Sequence, residues 1–171
     1  MQPDDMQSTA VPWNHDDRLE VLVFDLGGQS FALEAVLVRE ILDMMPETRV
    51  PGAPALVRHV VNFRGRIIPL ADLHLAFGMD VPATTADSRI VVIEIDLGGE
   101  PTIVGLRTDK VHEVATFDAT ASEGPPVVGL RWRRDHVRAL VRHGDDVVVL
   151  PDLEAIFLSI ARSETAGAAI H

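Results

Sequence analysis

Short runs of alternating apolar and polar residues, punctuated by glycine pairs, dominate the chain from residue 19 to 161. "LEVLVFDL" stops at Gly27-Gly28 before "SFALEAV", and "RIVVIEIDL" stops at Gly98-Gly99 before "PTIVGLRT". Alternation with period two marks a strand with one buried face, and paired glycines supply the positive φ of a tight turn, so the pattern predicts β-hairpins. A further strand pair, "VVNFRGRIIPL" (60–70), turns at Arg64-Gly65 and leads through Asp72 into a short apolar segment with helical spacing. Residues 1–18 and 162–171 lack such patterning and read as a flexible acidic arm and a flexible tail.

The two halves resemble each other. "FDLGGQ" (24–29) corresponds to "IDLGGE" (95–100), "VREI" (38–41) to "VHEV" (111–114), and "IIPLADLHLAF" (67–77) to "VVVLPDLEAIF" (147–157). Similar segments in the same order at nearly constant offset predict a duplicated unit, the second copy being expanded around "SEGPPVVG". Each half offers about five short strands and little helix, too few for a sandwich and enough for a small barrel. The expected fold is mainly β: two small barrels over about 19–80 and 88–160, packed face to face on a shared hydrophobic core, with short helices.

Composition narrows the function. The absence of cysteine excludes disulfides, thiolate nucleophiles and cysteine-based metal sites. No apolar run has the length of a membrane span and the amino end lacks a signal-peptide pattern, so a cytoplasmic protein without direct membrane insertion is expected. A net charge of −11 opposes nucleic acid, with one local exception, the arginine-rich "RWRRDHVRALVRH" at 131–143. That run reads as a solvated strand pair, a dock for an acidic protein, or a phosphate-binding surface.

Chemistry finds little support. The seven histidines form no HExxH or related ligand spacing, there is no GxSxG elbow, and neither glycine pair belongs to a phosphate loop. No cofactor or metal is expected. The repeated Asp72-Leu73 and Asp152-Leu153 read as helix caps rather than paired catalytic carboxylates, because each precedes a short helical segment. Arg64 sits where a turn would more usually carry Asn, Asp or Ser, and it either meets solvent or projects from a bend at Gly65 as an interface residue. Pro69 should stand at an edge or bulge.

The string "VPGAPALVRHVVNFRGRIIPLADLHLAFG" (50–78), with "VREIL" before it and "RIVVIEIDLGGEPTIVGLRTDKVHEV" (89–114) after it, resembles the CheW-type chemotaxis coupling proteins. The resemblance covers about residues 19–158. It implies two SH3-like β-barrels and a non-enzymatic adaptor joining the cytoplasmic tips of chemoreceptors (methyl-accepting chemotaxis proteins) to the regulatory domain of a CheA-type histidine kinase. Position by position it implies receptor contact by Val38, Glu40 and Arg64, with Val111 and Val114 lining the same groove. His59 stands where the family commonly has Gly, beside that groove, and would make receptor affinity depend on pH near neutrality. Ala139, Arg107 and Lys110 also depart from the family pattern. They leave open a paralogue serving a different chemosensory kinase. From other classes, the residues alone leave a small-ligand-binding barrel and a nucleic-acid-binding protein using the 131–143 arginines.

Overall fold

A computed structural model describes residues 10–126 and 134–160. Among them, strands β1 (Arg18–Leu26) and β2 (Gln29–Glu34) form the first hairpin, followed by β3 (Val38–Asp43), β4 (Thr48–Arg49), β5 (His59–Phe63) and β6 (Arg66–Ala71). The order then repeats with the hairpin β7 (Arg89–Leu97) and β8 (Glu100–Thr108), then β9 (Lys110–Asp118), β10 (Ser122–Glu123), β11 (Val137–His143) and β12 (Asp146–Pro151). A helix closes each unit, α1 (Leu73–Ala76) after β6 and α2 (153–160) after β12. Both glycine pairs turn hairpins as expected, with φ of +57° and +80° at Gly27 and Gly28 and +62° and +92° at Gly98 and Gly99.

The strands form two curled six-stranded sheets, ordered β10-β11-β12-β2-β1-β9 and β4-β5-β6-β8-β7-β3. Adding six to each number of the second order, cyclically, gives the first, so the duplication read from short strings extends through the topology. Its division along the chain differs from the expected one. The second sheet is built from the continuous stretch 38–108, whereas the first combines 18–34 with 110–151. The units 19–80 and 88–160 have thus exchanged their leading hairpins. Each exchanged hairpin docks through a short parallel ladder, Phe31↔Val149 in one sheet and Leu70↔Gly105 with Ala71↔Leu106 in the other. Pro69 immediately precedes that second ladder, so its missing N–H faces a side of β6 not yet paired.

Three apolar clusters explain the exchange. Leu19, Val21 and Val23 of β1 enter the interior of the first sheet with Phe117, Val141 and Val148. Ile90 and Val92 of β7 enter the second with Val61, Ile68 and Leu70. The opposite faces of the same hairpins, Leu22, Phe24, Leu26, Phe31, Val91, Ile93 and Ile95, meet in the largest cluster, the seam between the sheets. There Phe31 lies 4.9 Å from Phe77, centroid to centroid. A strand apolar on both faces is stable only when both are covered, and a hairpin placed between barrel interior and seam meets that need.

The amino-terminal arm also departs from expectation over its described part. Val11 and Trp13 pack against the first sheet's interior cluster. The Asn14 side-chain carbonyl accepts the N–H groups of Asp16 (2.8 Å) and Arg18 (3.0 Å), fixing the turn into β1. Indole burial and an Asx-type turn supply order that a polar composition hides. Residues 1–9 and the tail 162–171 lie outside the described residues.

Candidate functional site

β3 and β9 are outer strands of the two sheets and occupy equivalent places in the repeat. Their sequences match, Val38-Arg39-Glu40-Ile41 against Val111-His112-Glu113-Val114. Each carries a bulge at its second position: pairing to β7 passes from Val38↔Ile93 to Glu40↔Val92, skipping Arg39, and pairing to β1 passes from Phe24↔Val111 to Val23↔Glu113, skipping His112. A bulge at a sheet edge bends the strand and re-aims a side chain. Val38 and Val111 pack onto the seam, while Ile41 and Val114 are 43% and 60% exposed. The bulged residues pair with neighbouring-strand carboxylates, Arg39 Nε with Glu94 Oε1 at 3.5 Å and His112 Nε2 with Asp25 Oδ2 at 2.8 Å.

Arg64 and Gly65 form the two-residue turn between β5 and β6, closed by Phe63↔Arg66. Both have positive φ, +52° and +80°. The Asn62 side-chain carbonyl accepts the Gly65 N–H at 2.9 Å. This is a primed hairpin turn rather than a bulge, and it places an arginine where asparagine or glycine is at ease. From there Arg64 donates to Glu40 Oε2 through Nε (2.9 Å) and Nη2 (2.5 Å), with its guanidinium carbon 5.5 Å from the Phe63 ring centroid. Its side chain remains 71% exposed.

Of the residues expected to meet a receptor, Glu40 and Arg64 are in direct contact, and Val38 joins Val111 at the seam cluster. Val114 stands on the edge of the other sheet. His59 opens β5, and its Nδ1 lies 3.8 Å from Glu47 Oε1.

Glu47 belongs to a cluster that the sequence did not announce. Arg107 of β8, buried, donates Nη1 and Nη2 to the Glu47 carboxylate at 2.6 and 2.7 Å, and Nε to Asp72 Oδ1 at 2.5 Å. Hydrogen bonding from Arg107 holds the Glu47 carboxyl below the usual carboxylate range, against the opposing effect of burial. Burial works against the Arg107 charge, but bonds to Glu47 and Asp72 raise its pKa above the usual arginine value. Capture by Arg107 also separates the repeated aspartates. Asp152 caps α2, accepting the Ala155 N–H at 3.0 Å, whereas Asp72 makes no side-chain cap bond. α1 spans four residues. The only sequence signal was the oddity of arginine at 107.

The arginine run is partly spent on internal pairs: Arg138 binds Glu34, and Arg142 binds Glu123 at 3.0 Å. Arg131 and Arg133 lie outside the described residues. A cleft of about 180 Å³ between β2, β12 and α2 is lined by Leu37, Ile95, Leu153 and the Glu34–Arg138 pair. It falls short of the roughly 300 Å³ at which small-molecule pockets begin. Among the described residues no three His, Asp or Glu side chains are placed to hold a metal ion, and no helix is long and apolar enough to cross a membrane.

A family model described as the CheW-like domain matches residues 20–161. "Probable chemotaxis protein CheW" of Rhizobium etli is 31% identical over 153 residues, covering 90% of this chain and 95% of the relative. "Protein PilI" of Pseudomonas aeruginosa is 30% identical over 107 residues, 61% of this chain and 57% of that protein. The crystal structure of scaffolding protein TtCheW from Thermoanaerobacter tengcongensis superposes with a TM-score of 0.70 at 28% identity, covering 85% of this chain and 91% of that one.

Proposed function

This chain belongs to the CheW-like domain family, and from that premise we propose that it is a non-enzymatic adaptor linking chemoreceptor cytoplasmic tips to the regulatory domain of a CheA-type histidine kinase. One observation carries the reading: two equivalent edge strands present exposed β-branched residues, Ile41 and Val114, and beside one of them the exposed Arg64 is anchored on Glu40. An amphipathic receptor helix lays its apolar stripe on such residues and its polar flank on the charges, the helix-in-groove mode of recognition. Val38, Glu40, His59, Arg64, Val111 and Val114 make up this receptor face. The protein works in the cytoplasm and reaches membrane-bound arrays through protein contacts alone.

A second reading within the family is a scaffold for another chemosensory kinase. It is favoured by the similarity to PilI and by the Arg107–Glu47–His59 cluster, which joins two departures from the family pattern. Co-purification with receptor-tip fragments and kinase regulatory domains from each system of the source organism tests both. A ternary complex with the main chemotaxis pair supports the first reading, a complex with another pair the second. Failure to bridge any receptor and kinase overturns the adaptor proposal.

A further inference from the structure

The duplication puts equivalent residues on the two sides of the seam, and the two sides are completed differently. With α1 and α2 in register His74 corresponds to Glu154, and with the leading hairpins in register Asp25 corresponds to Asp96. On the first side the chain supplies a partner for each carboxylate. His74 is fully buried, with Nε2 2.9 Å from Asp109 Oδ1, and Asp25 Oδ2 lies 2.8 Å from His112 Nε2. Asp109 Oδ2 also accepts the Gly27 N–H at 2.6 Å, so this place in the repeat is filled from within.

The counterpart is the cleft of about 180 Å³ between β2, β12 and α2. Leu37, from the passage into β3, and Ile95, from the second sheet, give it apolar walls, and its charged lining is Glu34, Arg138, Asp96 and Glu154. Glu34 and Arg138 neutralise each other in a largely buried ion pair. Asp96 accepts the Gly99 N–H at 2.7 Å and Glu154 is half-buried, but among the described residues neither carboxylate meets a cation. Arg39, which stands where His112 does in the repeat, pairs instead with Glu94 at 3.5 Å. Two carboxylates without a counterion therefore share a cleft with apolar walls. It is too small for a typical free ligand, yet a long cationic side chain suits it: the stem covers apolar surface while the head meets the carboxylates. Arginine fits better than lysine, because its planar fork of donors matches carboxylate geometry.

We propose that this cleft is a socket for an arginine side chain presented by the adaptor's second protein partner, the kinase regulatory domain. The inference rests on the adaptor role proposed above. An adaptor holds two partners at once, and none of the six receptor-face residues lines the cleft. Where the first side of the seam carries its own donor in His74, the second side carries Glu154 and receives its cation from outside.

The test titrates the full-length protein with a kinase regulatory domain and, separately, with a receptor cytoplasmic-tip fragment at fixed ionic strength, with Glu154→Gln, Asp96→Asn and Glu154→Arg alongside. Kinase-domain affinity should fall about tenfold in Glu154→Gln, the scale of one charge-assisted contact. The fall should be smaller in Asp96→Asn, because Asp96 is exposed. Glu154→Arg, which fills the socket from within and reverses its charge, should abolish binding. Receptor-tip affinity should stay within about twofold throughout. The melting temperature of Glu154→Gln should fall by no more than about 3 °C, since no internal cation loses its partner. A larger fall would make Glu154 a residue of the fold and overturn the socket. Equal kinase-domain binding by all four proteins overturns the socket and leaves the adaptor role standing. Loss toward the receptor tip instead assigns the cleft to the first partner and overturns the proposal, and an unsubstituted protein that binds no kinase domain removes the adaptor role and the socket together.

Discussion

Replacing Arg64 by asparagine separates binding from folding more cleanly than any other change on this surface. At φ +52° an L-residue pays roughly 1 kcal/mol, a cost that asparagine largely avoids. The substitution removes the Glu40 ion pair, but the Arg64 side chain is 71% exposed, and such a pair is worth at most about 1 kcal/mol after solvent screening. The contact with the Phe63 ring adds about 0.5 kcal/mol at an exposed site. Loss and gain nearly cancel, so stability should change by less than about 0.5 kcal/mol and the melting temperature by no more than about 2 °C. Receptor binding should not be spared. Losing a charge-assisted contact at an interface centre commonly costs about 2 kcal/mol, which is roughly thirtyfold in Kd. Arg64→Lys should recover part of this, because an ammonium keeps the charge and loses the planar fork. A thermal melt and two titrations, with receptor-tip fragment and with kinase regulatory domain, give the answer. A fall in melting temperature of about 8 °C or more, or an equal loss toward both partners, would refute the assignment and make Arg64 a residue of the fold.

Three further outcomes concern the stability of the fold. Arg107→Met leaves Glu47 and Asp72 without their cation in a buried site and should cost about 3–5 kcal/mol in urea unfolding. Because the folded-state pKa of Glu47 is depressed, its contribution is present above its unfolded value, about 4.3, and is lost as pH falls through the folded value. Unfolding midpoints should therefore drop more steeply on acidification in the unsubstituted protein than in Glu47→Gln. Trp13→Ala should destabilise by about 1–2 kcal/mol, less than a fully buried tryptophan, since the indole is only partly covered; an unchanged midpoint would mean that the arm is not part of the fold.

Local geometry was legible in the sequence where one residue type answers one requirement. Gly27-Gly28 and Gly98-Gly99 turn hairpins because positive φ is needed there, and Asp152 caps a helix because it stands directly before one, where its carboxylate accepts the Ala155 N–H. Asp72 occupies the same place in the repeat and behaves otherwise, since an arginine 35 residues onward takes its carboxylate. Pairwise capture over such a distance leaves no trace in spacing. The hairpin exchange was hidden for a related reason. "LEVLVFDL" and "RIVVIEIDL" have apolar residues on both faces, which says that both must be covered and not by which strands. Trp13 was missed because one aromatic residue among polar neighbours has no period to reveal it. At the candidate site, the matching strings of β3 and β9 gave the positions, and the bulges that make Arg39 and His112 stand out became visible only with the strand register.

The exchange of hairpins determines how a mechanical load would travel. The chain passes between the two sheets twice, once through Ala35–Leu37 on its way into β3 and once through Asp109 on its way into β9. Each edge strand is thus the direct covalent continuation of a hairpin anchored in the opposite lobe. A partner that grips Val38 or Val111 pulls, within a few residues, on β2 or β8 and on the seam beyond. The two passages act like a pair of struts rather than a single swivel, and twisting one lobe against the other would require drawing Phe31 and Val91 out of the seam. A tug at either edge is thereby passed, through a few covalent bonds, to the hairpin and the seam of the opposite lobe.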